Sequence, residues 1–126
     1  MTATEIRNCI QQAAQACQQK DATTFASLFA SNAELIISNQ RIVGKEQIAA
    51  ITANYLANCE NIQIDIKNII VEENRAVVEW IWRDRKGDSG KENCAANAIS
   101  LTFVDGKIAR WREYTAPPLE TEPSNE

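Results

Sequence analysis

The sequence predicts an α+β domain in which a strongly curved antiparallel sheet packs around three N-terminal helices. Apolar residues recur at helical spacing through much of the first 57 residues, and four long strand-like runs follow up to residue 115. A chain of 126 residues with 44% hydrophobic content has room for one core. We therefore assign residues 1–116 to a single domain. Residues 117–126 are rich in acidic residues and proline, which predicts a disordered tail.

The two first helices are predicted from caps and apolar stripes. Either Thr2 or Thr4 can cap the first helix, whose inward face holds Ile6, Ile10, Ala13, Ala14 and Cys17. Asp21 is a suitable cap for a short second helix, which Ser31 and Asn32 end. Its apolar stripe consists of Phe25, Leu28 and Phe29. Together they form a helical hairpin.

A short strand, an extended piece and a third helix come next. The strand is predicted at 33–38, the extended piece at 41–43 and the helix at 45–57, after Gly44. Ile48, Ile51 and Tyr55 share one face of this helix. Tyr55 is therefore expected to point inward.

Four long strands complete the predicted domain, at 61–72, 75–85, 94–104 and 107–115. Polar turn sequences separate them, so successive strands should pair as an antiparallel meander. In the first of these strands, simple alternation would place Ile66 and Ile69 on opposite faces of the sheet. A bulge near Lys67 and Asn68 explains this change in the alternation. Strands of this length bend when one face closes over helices, which leaves a cone with a cavity at its open end.

The inward faces of the last three strands converge on this cavity. Alternation sends one set of polar or aromatic residues inward: Trp80, Trp82, Asn97, Trp111 and Glu113. Glu113 is the one acidic residue that this pattern places there. Burial among apolar groups would raise its pKa and fit it to exchange a proton with a ligand. Alternatively, Glu113 pairs with an arginine or joins an internal hydrogen-bond network.

The indoles also admit two interpretations. Large aromatic side chains fill a conical sheet well, which favours simple core packing. Three indoles on adjacent strands also suit a flat apolar ligand. We therefore take Tyr55, Trp80, Trp82, Asn97 and Trp111 as candidate ligand-binding residues, and Glu113 as the candidate general acid or base.

The opposite face of the sheet is expected to meet a second copy of the chain. Small and β-branched residues surround a few charges there, and Ile108 and Tyr114 are placed on this face with Arg110 and Arg112. The pattern is typical of a sheet-to-sheet contact. It predicts a homodimer.

Composition excludes several classes of function. The net charge is -4 and no run of Lys or Arg occurs, which argues against nucleic-acid or membrane partners. The chain has no His, and its four Cys residues form no Cys-x-x-Cys pair, so we expect no metal and no cofactor. No signal-like or membrane-spanning segment is visible, and the cysteines are expected to be reduced, mostly buried thiols of a cytoplasmic protein.

Four segments carry a resemblance to a known family: 21–30, 42–48, 78–82 and 105–114. With these, residues 4–117 resemble the nuclear transport factor 2-like superfamily. The likeness is to its SnoaL-like branch of polyketide cyclases, limonene epoxide hydrolases and ketosteroid isomerases. The resemblance implies a cystatin-like cone. It also implies that Glu113 is the counterpart of an acidic catalytic residue of the epoxide hydrolases. The segment 42–46 also resembles carotenoid-binding domains of the superfamily.

Other catalytic positions of those families hold different residues here. The Arg and Asp of the epoxide hydrolases fall at Trp80 and Trp82, and their Tyr and Asn fall near Leu35 and Ile37. The general base of the ketosteroid isomerases falls near Ile37 or Ser38, and the His used by many polyketide cyclases has no counterpart. The water-activating set of the epoxide hydrolases is therefore missing.

Three functions follow as hypotheses. The first is a domain that binds a small apolar or aromatic molecule without chemistry. The second is a small isomerase, cyclase or lyase in which Glu113 moves a proton while Asn97 or Tyr55 polarises the substrate. The third is a dimerisation scaffold whose cavity is filled by its own side chains.

Overall fold

The computed structural model describes residues 1–119 as three helices and one six-stranded sheet. The helices are α1 (Ala3–Gln18), α2 (Ala22–Ser27) and α3 (Lys45–Ala57). The strands are β1 (Phe29–Ile37), β2 (Gln40–Val43), β3 (Cys59–Glu72), β4 (Arg75–Lys86), β5 (Glu92–Val104) and β6 (Lys107–Ala116). The α+β class and the curled sheet agree with the sequence-based prediction. Residues 120–126 of the predicted tail lie outside the described residues.

The helix starts follow from local capping. The side chain of Thr2 accepts a hydrogen bond from the Glu5 amide, and the Glu5 carboxylate accepts one from the Thr2 amide, so α1 begins with a capping box. Asp21 accepts from the Thr24 amide at 3.0 Å and caps α2. Gly44, with φ of 100°, precedes α3, whose bounds match the prediction. Within residues 1–119, no helix is both long and apolar enough to cross a membrane.

The sheet has the order β2-β1-β6-β5-β4-β3. The four long strands pair as the predicted antiparallel meander. However, β1 pairs in parallel with β6, with Leu35 opposite Trp111 and Ile37 opposite Glu113. The prediction of an antiparallel sheet is therefore wrong at this pair. The parallel pairing brings the N-terminal part of the chain against the strand that carries Glu113.

Two core residues, Phe29 and Ile108, lie elsewhere than predicted, and each has a physical reason. Phe29 opens β1 instead of continuing the second helix, because α2 ends at Ser27 and the chain turns directly into the sheet. Ile108 is fully buried in the core instead of facing outward. The β5–β6 register skips one residue, since Thr102 pairs with Arg110 while Phe103 pairs with Ile108. This bulge reverses the parity of β6.

The predicted bulge in β3 is present, between Ile66 and Asn68, and the core uses both of its parities. The core lies between the helices and the concave face of the sheet. Its largest fully buried members include Phe29, Phe103 and Ile108. The packed part occupies the narrow end of the cone, and the space left beyond it is the site.

Candidate functional site

A cavity of about 610 Å³ opens at the wide end of the cone. Residues of all three helices and of strands β1, β2, β4, β5 and β6 line it. The six predicted site residues all lie on its wall: Tyr55, Trp80, Trp82, Asn97, Trp111 and Glu113. A volume of this size accommodates a drug-sized molecule. The cavity is thus open, which contradicts a scaffold filled by its own aromatic side chains.

The three indole N–H groups have different partners. Nε1 of Trp111 donates to Oε1 of Glu113 at 3.1 Å, and Nε1 of Trp82 donates to Oδ2 of Asp84 at 2.7 Å. In both contacts the acceptor is the second residue after the indole, because alternate side chains of a strand lie on the same face of the sheet. The second residue after Trp80 is Trp82, which offers no acceptor. Nε1 of Trp80 is buried and has no hydrogen-bond partner within the described part of the chain.

Glu113 is half-buried on the cavity wall. No Lys or Arg nitrogen of residues 1–119 lies within 4.0 Å of its carboxylate. Burial raises the pKa of Glu113, and the hydrogen bond from Trp111 lowers it by less. The alternative of an arginine partner is therefore absent from the described residues, while a partner in an internal hydrogen-bond network, Trp111, is present.

The thiol of Cys17 lies on the same cavity wall. Burial first, and then the charges of Glu113 and Cys59, raise the pKa of Cys17 to about 12. This thiol is therefore mostly protonated near neutral pH and is a poor nucleophile. The three buried cysteines are Cys9, Cys17 and Cys59, whereas Cys94 is exposed.

A second buried carboxylate was missed by the sequence analysis. The side chain of Asp84 is 0% exposed, and its Oδ2 accepts from Trp82 and, at 3.4 Å, from Nζ of Lys86. Its Oδ1 has no partner among residues 1–119. Asp84 is the next inward position after Trp80 and Trp82 in the alternation of β4, so the sequence pattern could have identified it. Glu113 is therefore not the single acidic residue sent inward, although Asp84 is not on the cavity wall.

Tyr55 lies at the mouth of the cavity instead of pointing wholly inward, since it is 50% exposed. Its ring centre is 6.0 Å from that of Trp82, and Nζ of Lys86 is 4.7 Å from the Tyr55 ring centre. Nζ of Lys86 also donates to the Tyr55 hydroxyl at 3.4 Å. The ring is therefore covered in part, by Trp82 and Lys86.

Core packing accounts for much of the position of Trp111. Its ring centre lies 5.3 Å from that of Phe25, 5.9 Å from Phe29 and 5.8 Å from Trp80. These separations are those of favourable aromatic pairs. Trp111 therefore serves the core on one side and the cavity wall on the other.

Asn97 and Trp80 form the least satisfied part of the wall. They are register partners on β5 and β4, so their side chains share the concave face. Asn97 is 7% exposed and Trp80 is 2% exposed. Oδ1 of Asn97, like Nε1 of Trp80, has no hydrogen-bond partner in residues 1–119. The wall thus includes one buried acceptor and one buried donor without partners, both covered by neighbouring protein atoms.

Other catalytic groups named by the resemblance are replaced by apolar residues. Leu35 and Ile37 line the cavity from β1, and Trp80 and Trp82 line it from β4. No cluster of three His, Cys, Asp or Glu residues in the described chain has the spacing to hold a metal ion. Polar residues are present on the wall as well, and they are Ser38, Asn39, Gln40, Thr52, Tyr55, Asn93, Asn97, Glu113 and Thr115.

Comparison with known proteins identifies the family of the domain. The SnoaL-like domain model matches residues 10–111. No curated protein matches the sequence.

Several solved structures share the fold. A protein of ketosteroid isomerase-like fold from Catenulispora acidiphila, solved with trimethylamine, has a TM-score of 0.77 and 18% identity. That alignment covers 84% of this chain and 83% of the other. A candidate SnoaL-like polyketide cyclase from Jannaschia has a TM-score of 0.78 and 19% identity, with 89% and 85% covered. A candidate isomerase from Bacillus subtilis has a TM-score of 0.82 and 17% identity, with 90% and 88% covered. At these identities the likeness establishes the fold.

Proposed function

The chain belongs to the SnoaL-like domain family, and from this premise we propose that its cavity binds one small apolar or aromatic molecule. The observation that carries the proposal is the open cavity of about 610 Å³ at the wide end of the cone. A cavity of this kind, with apolar walls and a few convergent polar groups, is the usual form of a small-molecule site.

The side chains on the wall divide into two roles. Trp80, Trp82 and Trp111 offer flat apolar surface, and Tyr55 covers the mouth. Asn97 and Glu113 supply polar atoms that orient the ligand. Binding then gains from burial of apolar surface and is given direction by two polar groups. No cofactor is part of this proposal.

A pair of substitutions on β5 tests the proposal. Ala95 lines the cavity, whereas Ala98 belongs to the outer face of the same strand. We expect Ala95→Phe to fill part of the cavity and to weaken binding of apolar compounds by about tenfold or more, because the phenyl ring occupies volume that the ligand needs. Ala98→Phe should leave affinity unchanged. Indole fluorescence during titration with terpenoid, steroid, carotenoid and aromatic polyketide compounds provides the measurement. Equal affinity of Ala95→Phe and the unsubstituted protein would place binding elsewhere.

Native mass spectrometry of freshly purified protein complements the titration. A co-purifying mass, absent from Ala95→Phe and present in Ala98→Phe, would identify the class of ligand directly. A bound mass that survives in both variants would contradict a site in this cavity.

A second candidate function is proton transfer by Glu113. It is favoured by one observation: the carboxyl lies on the cavity wall with no cation near it among residues 1–119, and burial raises its pKa. A carboxyl poised closer to neutral pH is an effective general acid or base. In an isomerase, cyclase or lyase, Glu113 would take a proton from a carbon next to a carbonyl, while Asn97 or Tyr55 polarised that carbonyl.

Exchange of carbon-bound protons distinguishes the two functions. Incubation of apolar ketones with the protein in deuterium oxide, followed by NMR, detects proton abstraction even without net turnover. We expect any such exchange to be lost in Glu113→Gln, which keeps the shape of the side chain. Exchange that persists in Glu113→Gln would exclude Glu113 as the base. Binding of the ketones without any exchange would support the function of binding without chemistry.

The outer face of the sheet supports a further part of the proposal, a homodimer. Tyr114 is 54% exposed beside a shallow hollow of about 330 Å³ that Ala96 and Ala98 also line. Small residues next to an exposed aromatic allow two sheets to approach closely. Light scattering should report a dimer for the unsubstituted protein and for Ala95→Phe, and a monomer for Ala98→Phe. A monomer in all three proteins would contradict the homodimer.

A further inference from the structure

The cavity wall carries one donor and one acceptor that the protein leaves without partners. Nε1 of Trp80 donates only, and Oδ1 of Asn97 accepts only. Both belong to side chains more than nine-tenths buried, and both side chains line the cavity. Leaving either atom buried and unpaired destabilises the folded protein. Such atoms are uncommon in folded domains.

The sheet places the two residues that carry these atoms directly opposite each other, Trp80 on β4 and Asn97 on β5, in an antiparallel pair. The Cβ atoms of such a pair are about 4.5–5.5 Å apart. No hydrogen bond joins Trp80 to Asn97 in the described structure. Both atoms are covered in the free protein, so a small rotation of the two side chains is needed before one small group in the cavity can contact both.

The group that satisfies both atoms must accept one hydrogen bond and donate another. A hydroxyl does this with one oxygen atom, whereas a carboxylate or an ether oxygen can only accept and an ammonium can only donate. We propose that the ligand of this cavity is an apolar molecule that carries a hydroxyl group. Its oxygen accepts from Nε1 of Trp80, and its proton is donated to Oδ1 of Asn97. This inference rests on the proposed binding function and adds the chemical class of the ligand.

The other two indoles show why the subsite is located at Trp80. The N–H groups of Trp82 and Trp111 are already bound to Asp84 and Glu113. They present ring faces and edges to a ligand, and their N–H groups are occupied. The N–H of Trp80 is the indole donor without a partner in the described part of the chain, and Trp80 lies opposite Asn97.

A matched pair of probes tests the hydroxyl directly. Pyrene and hydroxypyrene differ by one hydroxyl group, and energy transfer from the indoles reports their binding. The ratio of the two dissociation constants is measured for the unsubstituted protein, Asn97→Leu and Trp80→Phe. Since a hydroxyl-binding site rejects an analogue that leaves its polar groups unpaired, we expect the preference for hydroxypyrene to fall about tenfold in each variant.

Asn93→Leu is the matched control. Asn93 lies on β5 and lines the same cavity, but neither of the two unpaired atoms belongs to it. The ratio should be the same in this variant as in the unsubstituted protein. Asn97→Leu also removes a buried unpaired oxygen, so this variant is expected to fold.

The outcomes separate this inference from the function on which it rests. A ratio that falls in Asn97→Leu and Trp80→Phe but not in Asn93→Leu supports the hydroxyl subsite. If both probes bind and the ratio is equal in all four proteins, the hydroxyl assignment is overturned while binding in the cavity stands. If neither probe binds to any of the proteins, the proposed function fails and the inference fails with it.

Discussion

Two segments of this protein share the pattern Trp-Arg-acid and yet differ in what they can do. One is 82–84 on β4, and the other is 111–113 on β6. In each, the indole N–H donates to the carboxylate two residues further along the strand. Asp84 also accepts from Lys86, whereas Glu113 has no cation near it within the described residues. The same local motif is therefore a structural pair in one place and an unpaired acid in the other.

The difference lies in what surrounds each carboxylate. Asp84 has Trp82, Lys86 and the Cys59 thiol around it. Glu113 opens onto the cavity, and its neighbours are apolar or uncharged. A buried charge that has a partner is held in place by it, while one without a partner is pushed toward its neutral form. The sequence pattern alone does not distinguish a carboxylate that has a cation partner from one that has none, and substitutions in the two segments test this distinction.

The largest contrast is expected in stability. Asp84→Asn removes the charge that holds Lys86 and weakens the acceptor for Trp82. We expect it to lower the free energy of unfolding by about 1–3 kcal/mol at neutral pH, measured by urea denaturation.

Glu113→Gln is the matched control for Asp84→Asn. It also converts a carboxylate to an amide next to an indole, but it breaks no ion pair. Because the charged form of Glu113 is penalised by burial, the variant should be equally or slightly more stable than the unsubstituted protein. If Glu113→Gln destabilises the fold as much as Asp84→Asn does, the two segments are alike and the contrast fails.

The pH dependence of that second variant sharpens the comparison. The ordinary pKa of a Glu carboxyl is 4.5, and burial raises the pKa of Glu113 in the folded protein above this. The folded state holds the proton more tightly than the unfolded state. The protonated carboxyl therefore contributes its whole share of the free energy of unfolding below pH 4.5. This contribution is lost as the pH rises through the pKa of Glu113 in the folded protein.

Glu113→Gln cannot titrate, so its stability advantage over the unsubstituted protein should grow as pH rises through that interval. Urea denaturation of both proteins from about pH 4 to about pH 8 measures the difference. An advantage that shrinks with rising pH would mean that Glu113 is stabilised as a charge.

The sequence predicted more of this site than of the sheet that holds it. Strict alternation along β4 was enough to send Trp80 and Trp82 inward, because no bulge interrupts their register with β5. It failed for Ile108, since a one-residue bulge in β6 reverses the parity. The parallel pairing of β1 with β6 joins segments distant in sequence, and no local pattern encodes it.

The missing acceptor at Trp80 shows a second limit. The sequence shows that Trp82 and Trp111 each have an acidic residue two positions later. It shows equally that Trp80 has another indole there and so lacks a local acceptor. Whether a neighbouring strand then supplies an acceptor depends on side-chain orientation at Asn97, which only the structure gives. Asp84 is different: extending the alternation by one step would have found it.

A smaller effect is expected when the indole of the second segment is altered. Trp111→Phe keeps an aromatic ring beside Phe25 and Phe29 but removes the N–H that donates to Glu113. That hydrogen bond lowers the pKa of Glu113, so its loss should raise the pKa further. Carbon-13 NMR of labelled glutamate carboxyls follows the titration, and the resonance missing from Glu113→Gln identifies the group. An unchanged or lowered pKa would show that the indole does not act on this carboxyl.

The smallest effect concerns the cysteine beside each carboxylate. Burial first, then the charge of Glu113, raises the pKa of Cys17 to about 12, and burial first, then a hydrogen bond and charge from Asp84, raises the pKa of Cys59. Glu113→Gln should therefore speed alkylation of Cys17 by iodoacetamide a few-fold, and Asp84→Asn should do the same for Cys59. Because burial remains the larger cause at both thiols, neither should approach the rate of exposed Cys94, which serves as the internal reference in peptide mass spectrometry. Each carboxylate should act on its own thiol alone. If Asp84→Asn speeds both cysteines equally, general loosening of the fold explains the change, and the separate surroundings assigned to the two segments are wrong.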